Sequence, residues 1–259
     1  LATTIGLAWA NRLMPVMVKD INPAGGSYFA YPADVNGTLF FWADDGTHGF
    51  ELWQSDGTLA GTVMISDINP AGDSLPFYLI GVNVNGTLFF EADDGTHGFE
   101  LWQSDGTLTG TMMISDINPA GSSFPDELTD VNGTLFFRAN DGTHGCELWQ
   151  SDGTLTGTVM ISDINPTGDS FPGELTDVNG TLFFRANDGT HGDELWQSDG
   201  TLTGTVMISD INPAGDSGPF YLTDVNGTLF FSPDDGTHGF ELWKLSASEY
   251  ICLPIIFKN

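Results

Sequence analysis

Short apolar runs separated by polar turns make up the chain. TLFF, ELW and VMI each hold two or three apolar residues, and Gly, Asn, Asp and Thr fill the gaps. Runs this short, rich in Val, Ile, Phe, Trp and Thr, read as β-strands. No segment longer than a turn or two carries the spacing of an amphipathic helix. TLFF and TVMI have apolar residues on both faces, so both faces of these strands are expected to be buried.

The runs recur in a fixed order. NGTLFF begins at Asn36, Asn85, Asn132, Asn179 and Asn226, and DINP begins at Asp20, Asp67, Asp116, Asp163 and Asp210. The ELW tryptophans are Trp53, Trp102, Trp149, Trp196 and Trp243. The period is 47 residues, stretched once to 49 by two extra residues in LIGVNVNG. Each unit parses into four strands, in the third unit LTDVN, TLFFRA, CELWQS and VMISDI. The Asn-Gly pair between the first two signals a type I′ hairpin, whose central residues both need positive φ.

Four antiparallel strands per unit, repeated five times, predict an all-β fold, a five-bladed β-propeller. A β-solenoid is the rival, but its coils are shorter and need no hairpin in every unit. PVMVKDINP looks like a fourth strand without its first three, and ELWK like a third strand without its fourth. Val16–Lys19 is therefore expected to pair with Glu241–Lys244 and close the ring. The propeller spans 14–245. Residues 1–13 form an N-terminal extension whose Ala8-Trp9-Ala10 resembles a signal-peptide cleavage site. Residues 246–259 form a hydrophobic tail, expected to pack on the ring or on a partner chain.

Charge narrows the partners. The chain has 35 acidic residues against 6 Lys plus Arg, a net charge of −29. Such a surface repels phosphate backbones and anionic membranes, so nucleic acid is excluded as a partner. No apolar run is long enough to span a bilayer. Of the two cysteines, Cys146 stands where other units carry Phe50, Phe99, Asp193 and Phe240, so a bridge to Cys252 is not expected.

The loop DDGTHG carries most of the candidate chemistry. Strand parity places it on one face with the NPAGDS connection, and places the Asn-Gly and SDGT turns on the other. The candidate ligand-binding pairs are Asp45 with His48, Asp94 with His97, Asp141 with His144, Asp188 with His191, and Asp235 with His238. Carboxylates crowded in a turn suit calcium, with Asp44, Asp45, Asp93, Asp94, Asp234 and Asp235 as ligands. The same residues also suit a plain β-turn, and Asn140 and Asn187 replace the first acid in two units. No cofactor is required. Mid-strand, Glu51 and its equivalents are expected to hydrogen-bond neighbouring backbone, and the ELW tryptophans to pack in the core.

The units differ where the rest is nearly identical. Trp42, Glu91, Arg138, Arg185 and Ser232 share one register. After the connection come Phe77-Tyr78, Asp126-Glu127, Gly173-Glu174 and Phe220-Tyr221. These positions lie at or near the DGTHG face. The variation reads either as drift or as a ligand face. On the second reading Trp42, Phe77, Tyr78, Phe220 and Tyr221 offer flat surfaces to sugar rings, and Arg138 and Arg185 reach hydroxyls.

ELWQSDGTLTGT with the upstream NGTLFF and DG.HG resembles the ELWxxDGT repeat of secreted and surface proteins of bacteria. The likeness covers nearly all of residues 14–244 and implies secretion or cell-surface placement. In architecture, five units of this length are similar to the tachylectin-type five-bladed lectin. Catalysis needs a few unlike groups meeting once, which near-identical repeats supply poorly, and no familiar nucleophile or metalloprotease motif is present. Repetition suits avidity for a repetitive target. The expected function is thus a non-enzymatic, multivalent, lectin-like module for a glycan or polysaccharide, assisted by calcium. The alternatives are an adhesion module that binds a cell-surface protein and, third, a hydrolase using channel carboxylates.

Overall fold

In a computed structural model, residues 13–79 and 86–245 are described. Their regular elements are all strands. The first sheet holds β1 (Ala30–Val35), β2 (Thr38–Asp44), β3 (Phe50–Ser55) and β4 (Val63–Ser66). The second holds β5 (Leu88–Asp93), β6 (Phe99–Ser104) and β7 (Met112–Ser115). The third holds β8 (Asp126–Val131), β9 (Thr134–Asn140), β10 (Cys146–Ser151) and β11 (Val159–Ser162), and the fourth β12 (Gly173–Val178), β13 (Thr181–Asn187), β14 (Asp193–Ser198) and β15 (Val206–Ser209). The fifth holds β16 (Phe220–Val225), β17 (Thr228–Ser232) and β18 (Trp243–Lys244). Every pairing between these strands is antiparallel and follows chain order, as the repeat predicts. The two extra residues of the second unit, and the terminal segments with Cys252, lie outside the described residues.

Each hairpin turns as expected. Asn132 and Gly133 both have positive φ, 53° and 84°, and the Gly133 N–H donates to Asp130 at 2.8 Å. Successive sheets stack through apolar faces. Ile68 of the DINP connection joins Phe40 and Leu52 of the first sheet to Phe90 and Trp102 of the second. Ile117 and Ile164 repeat this in the next two interfaces.

A buried glutamate locks each connection. Glu147 is fully buried, accepting hydrogen bonds from the Ile164 N–H at 2.9 Å, the Ser170 N–H at 3.0 Å and the Ser170 hydroxyl at 2.6 Å. Glu51, Glu100 and Glu194 do the same. This is the backbone role expected for them, and it extends to a serine. Burial is the main cause that pushes these carboxyls up, Glu51 to about 7. Glu241 is exposed, and among the described residues it accepts no such hydrogen bonds.

Two expectations need correction. TLFF is buried on both faces, but TVMI is not: in β11 only Ile161 is buried, and Val159 is 40% exposed. The reason is position, since this strand is the outermost of its sheet. The closing pair is also not formed. Residues 16–19 are not a strand, and β18 pairs with β17 alone among the described residues. Lys19 and Ile21 lie instead against the first sheet, while Val16 and Met17 are exposed. Lys19 Nζ donates to the Thr62 carbonyl at 2.7 Å and sits over the Trp53 ring, and Ile21 packs on Phe41 and Ala43.

Candidate functional site

The varied positions meet at the start of each unit's first strand. There the chain bulges. Register shifts occur between Ala30 and Ala33, Asp126 and Thr129, Gly173 and Thr176, and Phe220 and Thr223. The residue inside the bulge takes a left-handed conformation without being glycine: Tyr31, Tyr78, Glu127, Glu174 and Tyr221 have φ between 51° and 60°. Bulky residues avoid this region, so such strain is held by the surrounding structure and concentrates at functional sites. Glu127 accepts the Glu174 N–H at 3.1 Å, and Glu174 accepts the Tyr221 N–H at 2.8 Å. The bulges of neighbouring units are thereby linked.

The bulge pairs each varied residue of the first strand with one of the second. Opposed pairs are Ala30 with Trp42, Phe77 with Glu91, Asp126 with Arg138, Gly173 with Arg185, and Phe220 with Ser232. The same backbone frame thus holds an aromatic, a charged and a mixed sector. Trp42 stacks on Phe50 at 4.8 Å and lies 5.2 Å from Phe77. Arg138 forks onto Asp126 through Nε and Nη2, and its Nη1 donates to the Pro172 carbonyl. Arg185 lies 4.8 Å over the Phe220 ring. Tyr221 is exposed.

Where the aromatic and charged sectors meet there is a cavity of about 410 Å³. Tyr31, Phe77, Tyr78, Phe99 and Phe124 form its walls, and Glu91 and Asp126 supply its carboxyls. That is the size and composition of a small-ligand site. Glu91 is only 4% exposed, and its side chain makes no hydrogen bond to a described residue. Burial first, then the charges of Asp126 and Glu100, push its carboxyl up to about 8. At neutral pH Glu91 therefore carries a proton.

The Asp–His pairs lie elsewhere. In each loop the second aspartate caps its own turn: Asp45 accepts the Thr47 and His48 N–H groups and holds His48 Nδ1 at 2.8 Å. The other four pairs repeat this geometry at 2.7–2.8 Å. The hydrogen bond that its ring Nδ1–H donates to the aspartate is the first cause that raises each histidine above its ordinary value. Asp44, Asp93 and Asp234 each accept the N–H of the following loop glycine at 2.6–2.7 Å. Among the described residues no group of three or more His, Cys, Asp or Glu is placed to hold a metal ion. The loops do touch the connections, as parity predicts: the Phe50 N–H donates to Asp73 at 2.9 Å, and the Cys146 N–H to Asp169 at 2.7 Å. None of these loop residues lines the cavity.

Of the residues predicted from sequence, the structure brings Phe77 and Tyr78 into the cavity and leaves Trp42 and Arg138 one contact behind its wall. Phe220, Tyr221 and Arg185 gather in the neighbouring sector. Sequence reasoning missed Tyr31 and Phe124, and placed Glu91 only among varied positions. The signal for Glu91 was present: it is the single carboxylate in its register.

No protein-family model matches the chain, and no curated protein matches it. Solved structures do. The chain is similar to a puromycin hydrolase S511A mutant complexed with PGG, at 14% identity and a TM-score of 0.51, over 84% of this chain and 35% of that one. It is similar to a prolyl endopeptidase at 11% identity and a TM-score of 0.51, over 85% of this chain and 35% of that one. The chain thus spans about a third of the length of these proteins. The catalytic domain of the Coprinopsis cinerea GH62 alpha-L-arabinofuranosidase also matches, at 11% identity and a TM-score of 0.33, over 88% of this chain and 93% of that one. The first two likenesses support a β-propeller fold. They also correct an expectation. The reading as a non-enzymatic, lectin-like or adhesion module rested on repetition being unsuited to catalysis, yet the first two of these proteins, a hydrolase and an endopeptidase, are enzymes. The physical reason is in the bulges, where one frame carries unlike residues in each unit and the chemistry is not repeated.

Proposed function

We propose that the chain is a carbohydrate-active enzyme that hydrolyses a glycosidic bond in the aromatic cavity, with Glu91 as the acid. One observation carries this: a carboxyl nearly sealed from water, with no hydrogen-bond partner among the described residues to hold its charge, opens onto a wall of aromatic rings. Aromatic faces take the apolar side of a sugar ring. A carboxylic acid kept neutral by burial is the proton donor that glycosidic oxygen needs.

In this reading the Glu91 proton passes to the leaving-group oxygen as its bond to the anomeric carbon breaks. A water oxygen adds to that carbon. The Asp126 carboxylate, held in place by Arg138, orients the water and takes its proton. Asp126 then releases that proton to solvent, and solvent returns one to Glu91. The five sheets are the blades of one propeller, with the bulged residues Tyr31, Tyr78, Glu127, Glu174 and Tyr221 around its axis. The linked bulges and the four stacked interfaces support that arrangement. Placement outside the cell goes with the ELWxxDGT resemblance.

The test is release of reducing ends from a panel of plant and bacterial polysaccharides, by the wild type and Glu91→Gln. Turnover that falls at least about 100-fold in the variant, with an unchanged circular dichroism spectrum, is expected for a lost general acid. Equal turnover in both proteins, or none from any polysaccharide, overturns the proposal.

A further inference from the structure

The third and fourth units form a natural comparison. Both carry an arginine in the same register, Arg138 and Arg185, in the identical strand sequence TLFFRAN. In the third unit the residue opposite is Asp126, and the arginine forks onto it through two N–H groups. In the fourth unit the residue opposite is Gly173, which has no side chain to offer. A Cβ built on Gly173 stands 3.4 Å from Arg185 Nη2, so the guanidinium still points at the place the carboxylate fills one unit earlier.

Arg185 has found no full replacement. It makes no hydrogen bond to a described residue, and its Nε is buried without a partner. The Asp193 carboxylate comes to 3.7 Å of Nε, an ion pair beyond hydrogen-bond reach, and its Oδ1 accepts from Asn187 Nδ2 at 3.1 Å. The Phe220 ring supports the guanidinium from one side, 4.8 Å from Cζ. About a fifth of the side chain, 21%, stays open to solvent. A stacked, partly buried guanidinium with an empty fork is built for a planar, two-oxygen anion.

We propose that Arg185 anchors a carboxylate-binding subsite, in which a ligand carboxylate occupies the position that Asp126 holds in the preceding unit. Tyr221 and Phe220 offer the adjoining ring surface, so the fitting ligand is a uronate, a sugar ring bearing a carboxylate. The sugar part of this statement rests on the glycan reading above, and the carboxylate anchor does not.

Gly173→Asp refills the fork from within. Its φ is not in the positive range, so an L side chain is accommodated there, and the Asp126–Arg138 pair is the template for the result. Calorimetric titrations at low salt use glucuronate, glucose and propanoate against the wild type, Gly173→Asp and Arg185→Gln. The wild type is expected to bind glucuronate about 10- to 100-fold more tightly than glucose, the effect of a charge-assisted pair of hydrogen bonds. Both variants are expected to lose that preference. Equal binding of glucuronate and glucose by the wild type overturns the anchor while leaving the glycan reading standing. An unchanged preference in Gly173→Asp, with native circular dichroism, also overturns it. Propanoate bound as tightly as glucuronate, with no binding of glucose, keeps the anchor and sinks the glycan reading.

Discussion

Replacing Glu147 by alanine removes the acceptor at the centre of a fully buried cluster. The Ile164 N–H loses its acceptor and has no other in the cluster. The Ser170 N–H and hydroxyl keep the Cys146 carbonyl, at 3.1 and 3.2 Å. One orphaned backbone donor costs about 1–3 kcal/mol, and the space left by the missing side chain adds about 1 kcal/mol. Together these give an expected loss of about 2–4 kcal/mol. Glu147→Gln keeps one oxygen for Ile164 and Ser170, so about 1 kcal/mol is expected. The fifth unit supplies the control. Glu241 is exposed and accepts no such hydrogen bonds among the described residues, so Glu241→Ala stays within about 0.5 kcal/mol. Urea titrations followed by tryptophan fluorescence measure all three, and the alanine loss corresponds to a Tm lower by about 4–16 °C. A loss in Glu147→Ala no larger than in Glu241→Ala would refute the reasoning that these glutamates clamp the sheets together.

Stability should fall as pH rises from about 4.5 to 8. Glu51 and Glu91 are raised to about 7 and about 8, so the folded state holds protons that the unfolded state releases. Urea midpoints across that range check the sign, and Glu91→Gln should be the more stable protein at pH 9, by on the order of 3 kcal/mol. The five histidines should all titrate above the ordinary value in an NMR pH series, because each is held by its loop aspartate, and Asp141→Asn should bring His144 back down. Cys146, whose thiol burial pushes up to about 12, should react with iodoacetamide at pH 8 far more slowly in the native protein than in urea. Gly133→Ala should cost about 1–2 kcal/mol, read from urea midpoints. The space around it is open, so the cost comes from its φ of 84° alone.

Much of the site was legible only as a pattern of difference. Trp42, Glu91, Arg138, Arg185 and Ser232 stood out because everything around them repeats. What a varied position faces was not legible. Phe77 opposes Glu91, and Asp126 opposes Arg138, across a bulge that no turn residue announces, since Tyr31, Tyr78 and Glu127 are not the glycines that a positive φ suggests. The histidine loops drew notice by composition. Their hydrogen bonds run within the turn, so their residue types are set by local backbone needs.

The sequence by itself determined the strands, their antiparallel order and the hairpins. Each depends on local terms: β-propensity, alternation with turns, and the positive φ that Asn-Gly accepts. Tertiary structure decided the rest. It left Lys19 against the first sheet and Val16 and Met17 exposed instead of paired with β18, because the Thr62 carbonyl and the Trp53 ring hold Lys19 there. It placed Glu91 among aromatic rings brought from three units, and it opened the fork of Arg185 by setting a glycine opposite. Burial of a carboxyl and the vacancy beside a guanidinium are properties of what surrounds a residue, and those surroundings come from parts of the chain as far apart as Tyr31 and Glu91.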